Sequence, residues 1–194
     1  MNGVTPMAAE SRNRNRALSA EEEIRLRRVK IQSSRTISSF LIKLVLFIIV
    51  IVLLFGVFFG IAPMHGNDMK PSLRAGDLLL YYRMEKSFYS GDLVIYEMEG
   101  KQYVGRVIAV GGDTVEVTDQ NTVLINGSTI VETDIYYSTP KYEDYVEYPV
   151  SLGKDEIFVL CDYRNGGKDS RYFGAIPLSG VKGKIISVLR RSQL

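Results

Sequence analysis

A mainly β domain tied to a membrane by one N-terminal helix is the fold class this sequence predicts, on three observations. Residues 44–62, LVLFIIVIVLLFGVFFGIA, carry no charge over 19 positions. After them come seven short apolar or alternating runs punctuated by turn residues, the pattern of many short strands. No apolar stripe of helical period long enough for an amphipathic helix interrupts those runs. A chain of 194 residues fits one domain plus a membrane segment, and the residues after the span suffice for one sizeable core.

The elements follow in chain order. Residues 1–43 form a basic leader with nine Lys and Arg against four Glu. Within it Ser19, the acidic residues 21–23 and the basic residues at 25–30 suit a short helix at the membrane surface. A solvated leader that contacts anionic lipid is the plainer reading. Residues 44–62 follow as a transmembrane signal anchor, about 28 Å long at 1.5 Å per residue and enough to span a bilayer core. Lys43 closes it on one side and Pro63 breaks it on the other. Residues 63–194 carry fifteen basic against eighteen acidic side chains. The positive-inside rule then makes this a single-pass protein of the cell membrane, N-terminus cytoplasmic and C-terminal domain extracellular. A cleavable signal peptide competes, with Gly60 and Ala62 a weak cleavage site, but the long leader and long apolar stretch favour an uncleaved anchor.

Strands are expected at 77–82, 92–96, 102–110, 114–117, 122–125, 157–160 and 183–189. Arg74-Ala75-Gly76, Ser90-Gly91, Gly100, Gly111-Gly112 and Asn126-Gly127 separate them. Such spacing predicts an all-β sandwich or coiled-sheet assembly. Residues 132–150 differ in character, with tyrosines at 136, 137, 142, 145 and 148 among acidic residues. They suit either a partner surface or a packed hairpin whose tyrosines cap the core. Cys161 is the only cysteine and His65 the only histidine, so neither an intrachain disulfide nor a zinc site can form. Cys161 reads as a small buried residue. No phosphate loop or metal-spaced carboxylate set is present, so no metal, cofactor, nucleic acid or small-molecule substrate is expected.

Three ordered boxes carry a resemblance. Asn67-Asp68-Met69-Lys70-Pro71-Ser72-Leu73, directly after the span, resembles the G-x-S-M-x-P-[ST]-L box of type I signal peptidases, serine proteases that cut secretory signal peptides outside the membrane. Tyr103-Val104-Gly105-Arg106-Val107-Ile108 with Gly111-Gly112-Asp113 is similar to that family's [YF]-[VI]-K-R-[VI]-[IV]-G-x-x-G-D segment. Residues 161–174, CDYRNGGKDSRYFG, are similar to its G-D-N-R-x-N-S-x-D-S-R-x-[FY]-G ending. The resemblance runs from about residue 63 to the C-terminus and implies a mostly antiparallel signal-peptidase-like β domain, with a peptide-binding groove near the lipid surface and 132–150 a variable insertion. It also marks three departures. Asp68 stands at the catalytic serine, Gly105 at the general-base lysine, and Gly167 at the serine that helps hold that lysine.

A serine hydroxyl attacks only when a base takes its proton, and lysine serves only when its pKa is lowered. With neither residue present, the chain is expected to be a pseudoenzyme that lacks the Ser/Lys dyad and captures peptide without turnover. An aspartic dyad would need a second carboxylate sharing a proton with Asp68; Asp169 is the only candidate, and its pattern pairs with Arg171 as a structural ion pair. If residues 64–70 are extended, His65 and Asp68 point to opposite faces, which disfavours a histidine triad. The resemblance assigns the groove to His65, Gly66, Asn67, Asp68, Met69, Pro71, Tyr103, Val104, Gly105 and Arg106. The pattern with Asp and Gly at the dyad resembles a subclass of signal peptidase homologues in Gram-positive bacteria that serve pilus assembly. That implies an accessory or chaperone for sortase-dependent polymerisation, binding pilin subunits, a class C sortase or both, and touching membrane lipid. An active type I signal peptidase with an unusual site and a regulatory signal-peptide binder are the alternatives.

Overall fold

A computed structural model describes residues 37–132, 135 and 137–190, together with Arg25. Ser19, most of the leader and Tyr136 lie outside the described residues. The chain divides into two compact units, 1–52 and 53–194.

The apolar helix α1 covers Ile37–Phe58 and is the one helix among the described residues long and apolar enough to cross a membrane. Its side chains, most of them apolar, are all exposed. The helix begins earlier than the uncharged run and contains Lys43, whose long stem lets a terminal charge reach past apolar neighbours. It also ends earlier. Its last residues, Leu54–Phe58, are wound as π-helix, and Phe59–Pro63 then forms strand β1. Hydropathy cannot separate an apolar strand from the end of an apolar helix; here pairing with a neighbouring strand takes up the backbone groups of residues 59–63.

The domain that follows is antiparallel throughout its described pairs. β2 (Leu78–Tyr82), β3 (Leu93–Met98), β4 (Lys101–Val110), β5 (Thr114–Val117) and β6 (Val123–Ile125) lie where alternation and turn chemistry place strands. Later in the chain come β7 (Ser128–Thr129), β8 (Val150–Ser151), β9 (Glu156–Leu160), β10 (Ile176–Pro177) and β11 (Val181–Leu189), with a single-turn helix α2 at Ser170–Phe173. β7, β8, β10 and α2 are too short to leave a periodic signal. A seven-stranded sheet has the order β1-β2-β11-β3-β4-β9-β10, and a four-stranded sheet the order β7-β6-β5-β8. Asn126 and Gly127 close the β6–β7 hairpin with φ of 52° and 78°, the left-handed pair that a two-residue turn of matching twist requires.

Side chains alternate across the large sheet, so its two faces bury different sets. Ile95 packs with Met64, Met69, Leu73, Leu79, Tyr81 and Cys161 on one face. Val94, Tyr96, Val107, Ile157 and Val159 form a second cluster on the other. A third joins Ile108, Phe158 and Leu160 to Val115, Val117 and Val123 of the small sheet.

Candidate functional site

The first box is a turn. Lys70 N–H donates to the Asn67 carbonyl at 3.1 Å and Leu73 N–H to the Met69 carbonyl at 2.8 Å, so residues 67–73 coil back under the end of β1. This corrects the extended reading of 64–70: His65 and Asp68 line the same pocket. That pocket, about 320 Å³, has Ala62, Pro63, Met64, His65 and Gly66 on one side and Gln102, Tyr103 and Val104 on the other; Asp68, Ile95, Cys161 and Lys168 complete it. Strand β9 pairs with β4 only from Arg106 onward, while β3 pairs with β4 from Lys101 to Arg106. Residues 101–105 of β4 therefore have no described strand on their second edge. Unpaired main chain beside side-chain pockets is the arrangement that adds an extended peptide to a sheet.

The structure brings together five of the ten groove residues expected from sequence: His65, Gly66, Asp68, Tyr103 and Val104. The other five do not line the pocket. Met69 is fully buried in the core, and Asn67 and Pro71 are exposed on the turn. Arg106 makes a bidentate pair with Asp162 at 2.8 and 2.6 Å and also donates to Ser72 Oγ and the Gly91 carbonyl. Gly105 is buried, and a Cβ there would overlap Val159 Cγ1 and come within 3.4 Å of the Tyr96 ring. Val159 thus occupies the space that the Cβ of any side chain at 105 would need, with the Tyr96 ring close beside it.

Gly167 is built differently. Its φ of +84° is a left-handed conformation that favours glycine, and a Cβ there would lie 2.8 Å from Cys161 Sγ and 3.0 Å from Asp68 Cβ. The bare backbone at 167 makes room for the Asp68 side chain. Gly105 and Gly167 therefore accommodate two different neighbours.

Beneath the pocket lies a buried charged cluster. Asp169 and Arg171 are fully buried and paired, Arg171 Nη2 donating at 2.7 Å and Nε at 3.0 Å, while Asp169 also accepts from the Cys161 and Arg171 backbone N–H groups. Asp169 is committed to these donors. Arg164, also fully buried, donates to the Cys161 carbonyl, Thr139 Oγ1 and Glu132. Arg171 reaches the Arg164 and Pro140 carbonyls, and Tyr142 O–H donates to the Gly167 carbonyl at 2.9 Å. The described part of the 132–150 insertion is thereby fastened to the third box rather than folded as a hairpin. Tyr145 packs on Tyr172, and Tyr137 on Tyr163.

Electrostatics sort the pocket's groups. Burial pushes the Cys161 thiol up, aided by Asp169 and Asp68, so it is a neutral thiol. Burial likewise raises Tyr96, whose O–H donates to the Lys168 carbonyl at 3.2 Å. Lys168 holds its ammonium 4.0 Å above the Tyr172 ring, and a hydrogen bond to Tyr172 raises its pKa. Among the described residues no cluster of three His, Cys, Asp or Glu could hold a metal. Ala62, Pro63 and Met64 lie in the wall expected from residues 62–69, whereas Ile95, Gln102, Cys161 and Lys168 were not expected in the groove; the open edge of β4 is the signal that collects them.

The family model described as signal peptidase, peptidase S26, matches residues 37–189. A signal peptidase I of Leptolyngbya laminosa is 29% identical over 133 residues, covering 62% of this chain and 63% of that protein. A signal peptidase I of Bacillus licheniformis is 31% identical over 144 residues, covering 67% of this chain and 76% of that one. The solved structure of a signal peptidase I from Enterococcus faecalis V583 is 27% identical, with a TM-score of 0.43, and covers 52% of this chain and 98% of that one. The chain thus spans a little under two thirds of the length of the Leptolyngbya relative. These relatives overturn the expectation of a pseudoenzyme, because they are named signal peptidase I, an enzyme family. Absence of one Ser/Lys pair excludes that pair's chemistry and nothing broader, and the pocket retains Asp68, His65 and Lys168. With 37–189 matched, the chain belongs to the signal peptidase (peptidase S26) family.

Proposed function

We propose that this family member holds an extended polypeptide segment in the groove between residues 62–66 and β4, and that through this groove it acts as an accessory in sortase-dependent pilus assembly. In this reading α1 crosses the membrane with the basic leader inside, and the groove faces the outer surface, where it meets pilin subunits or a class C sortase. The observation that carries it is the unpaired edge of β4 at residues 101–105 beside a pocket of about 320 Å³. Main-chain hydrogen bonds along such an edge bind polypeptide without regard to its sequence, and the pocket takes alternate side chains.

The test is an immunoblot of cell-wall pilin from a strain lacking this gene, complemented with the wild-type chain. Loss of the high-mass ladder in the deletion, with recovery on complementation, supports the reading; an unchanged ladder removes it. A second reading, peptide-bond cleavage of preproteins, is favoured by the names of the relatives. Incubating a preprotein with the full chain in detergent decides it through the appearance or absence of the processed form.

A further inference from the structure

We propose that Asp68 makes the groove selective for an extended peptide that places a cationic side chain, lysine or arginine, opposite it. The proposal rests on the groove reading above and adds the class of segment bound.

Asp68 is half-buried in the pocket, and among the described residues its carboxylate receives no hydrogen bond and no ion pair. Its immediate neighbours offer none. A Cβ on Gly66 would come 2.8 Å from Asp68 Oδ2 and one on Gly167 3.3 Å from Asp68 Cγ, so two residues without side chains flank it. Cys161 is a neutral, buried thiol. Lys168 is turned onto Tyr172, and His65 is exposed at the rim.

A peptide laid along β4 would strip water from this carboxylate. Under a neutral side chain the charge would then be left desolvated without a partner, which costs binding energy. Under a lysine or arginine the same event forms a charge-assisted hydrogen bond. The walls suit such a side chain, because Ala62, Met64, Ile95 and Val104 can receive its methylene stem while the charged head reaches Asp68. The excess of acidic over basic side chains across 63–194 adds an attraction of the same sign. Selectivity therefore comes as much from the penalty on neutral residues as from the attraction of a basic one.

The experiment measures fluorescence anisotropy of labelled, end-blocked octapeptides of alanine and valine with the full chain in detergent micelles. One lysine is moved through the register, and norleucine replaces it in matched controls. At one register position the lysine peptide is expected to bind about tenfold tighter than its norleucine control. Asp68→Asn is expected to reduce that ratio to about one, and Asp155→Asn, which removes an exposed carboxylate outside the pocket, to leave it in place, both variants showing the wild-type thermal melt. If Asp68→Asn melts early, Asp68→Ala takes its place. A wild-type ratio near one, or a ratio that survives loss of the carboxylate, overturns the proposal while peptide binding still upholds the groove. If no peptide binds at all, the groove reading falls with it.

Discussion

Asp68 and Asp169 are neighbouring carboxylates in opposite conditions. Asp169 is fully buried and accepts from two backbone N–H groups and the Arg171 guanidinium. Asp68 is partly open to solvent and receives nothing from the described residues. The contrast separates a charge that holds the fold from one left to a ligand. A buried carboxylate survives only with its donors in place, whereas an unpartnered one costs little while water still reaches it and becomes selective when water is displaced.

Breaking the satisfied side has the largest expected effect. Asp169→Asn leaves Arg171 buried without its counter-ion and should destabilise the domain by about 3–5 kcal/mol, read as a lower denaturation midpoint. Next comes Gly105→Lys, whose Cβ overlaps Val159; overpacking of this kind costs about 1–3 kcal/mol. Val159→Ala in the same chain should recover part of that loss, and a double-mutant cycle in denaturant would measure the coupling. Gly167→Ala combines a left-handed backbone with contacts to Cys161 and Asp68 and should cost about 1 kcal/mol or somewhat more. It should also displace Asp68 and weaken the lysine peptide more than the norleucine one. Smallest is Asp68→Ala, expected to shift stability by no more than about 0.5 kcal/mol, since no described partner loses a bond. A large loss there would place Asp68 on the structural side with Asp169.

Much of the fold was legible in the residues themselves. The strands at 78–82, 93–98, 101–110, 114–117, 123–125, 156–160 and 181–189 follow from local alternation and from Gly-bearing turns between them. The shorter strands were not, because two residues carry no period, and β1 was hidden inside an apolar run that composition alone assigns to a helix. The site was legible as three boxes and not as a shape. His65 and Asp68 share a pocket because the first box turns, and Met69 and Arg106, both expected in the groove, are spent on the core and on Asp162. The inference from two missing residues to a chain without enzymatic character also outran its warrant, since residue identity at a dyad speaks only to that dyad.

The sequence by itself determined an apolar segment able to span a bilayer, a β-rich domain beyond it and the identities at 68, 105 and 167, because hydropathy, period and turn chemistry reside in residues adjacent along the chain. Only the tertiary structure decided that Val159 and Tyr96 fill the volume beside Gly105, that β9 leaves the second edge of residues 101–105 of β4 without a described strand, and that Asp169 receives the Arg171 guanidinium and two backbone N–H groups while Asp68 receives none from the described residues. Those outcomes depend on groups tens of residues apart meeting in space, where volume can be filled once and each donor can serve few acceptors.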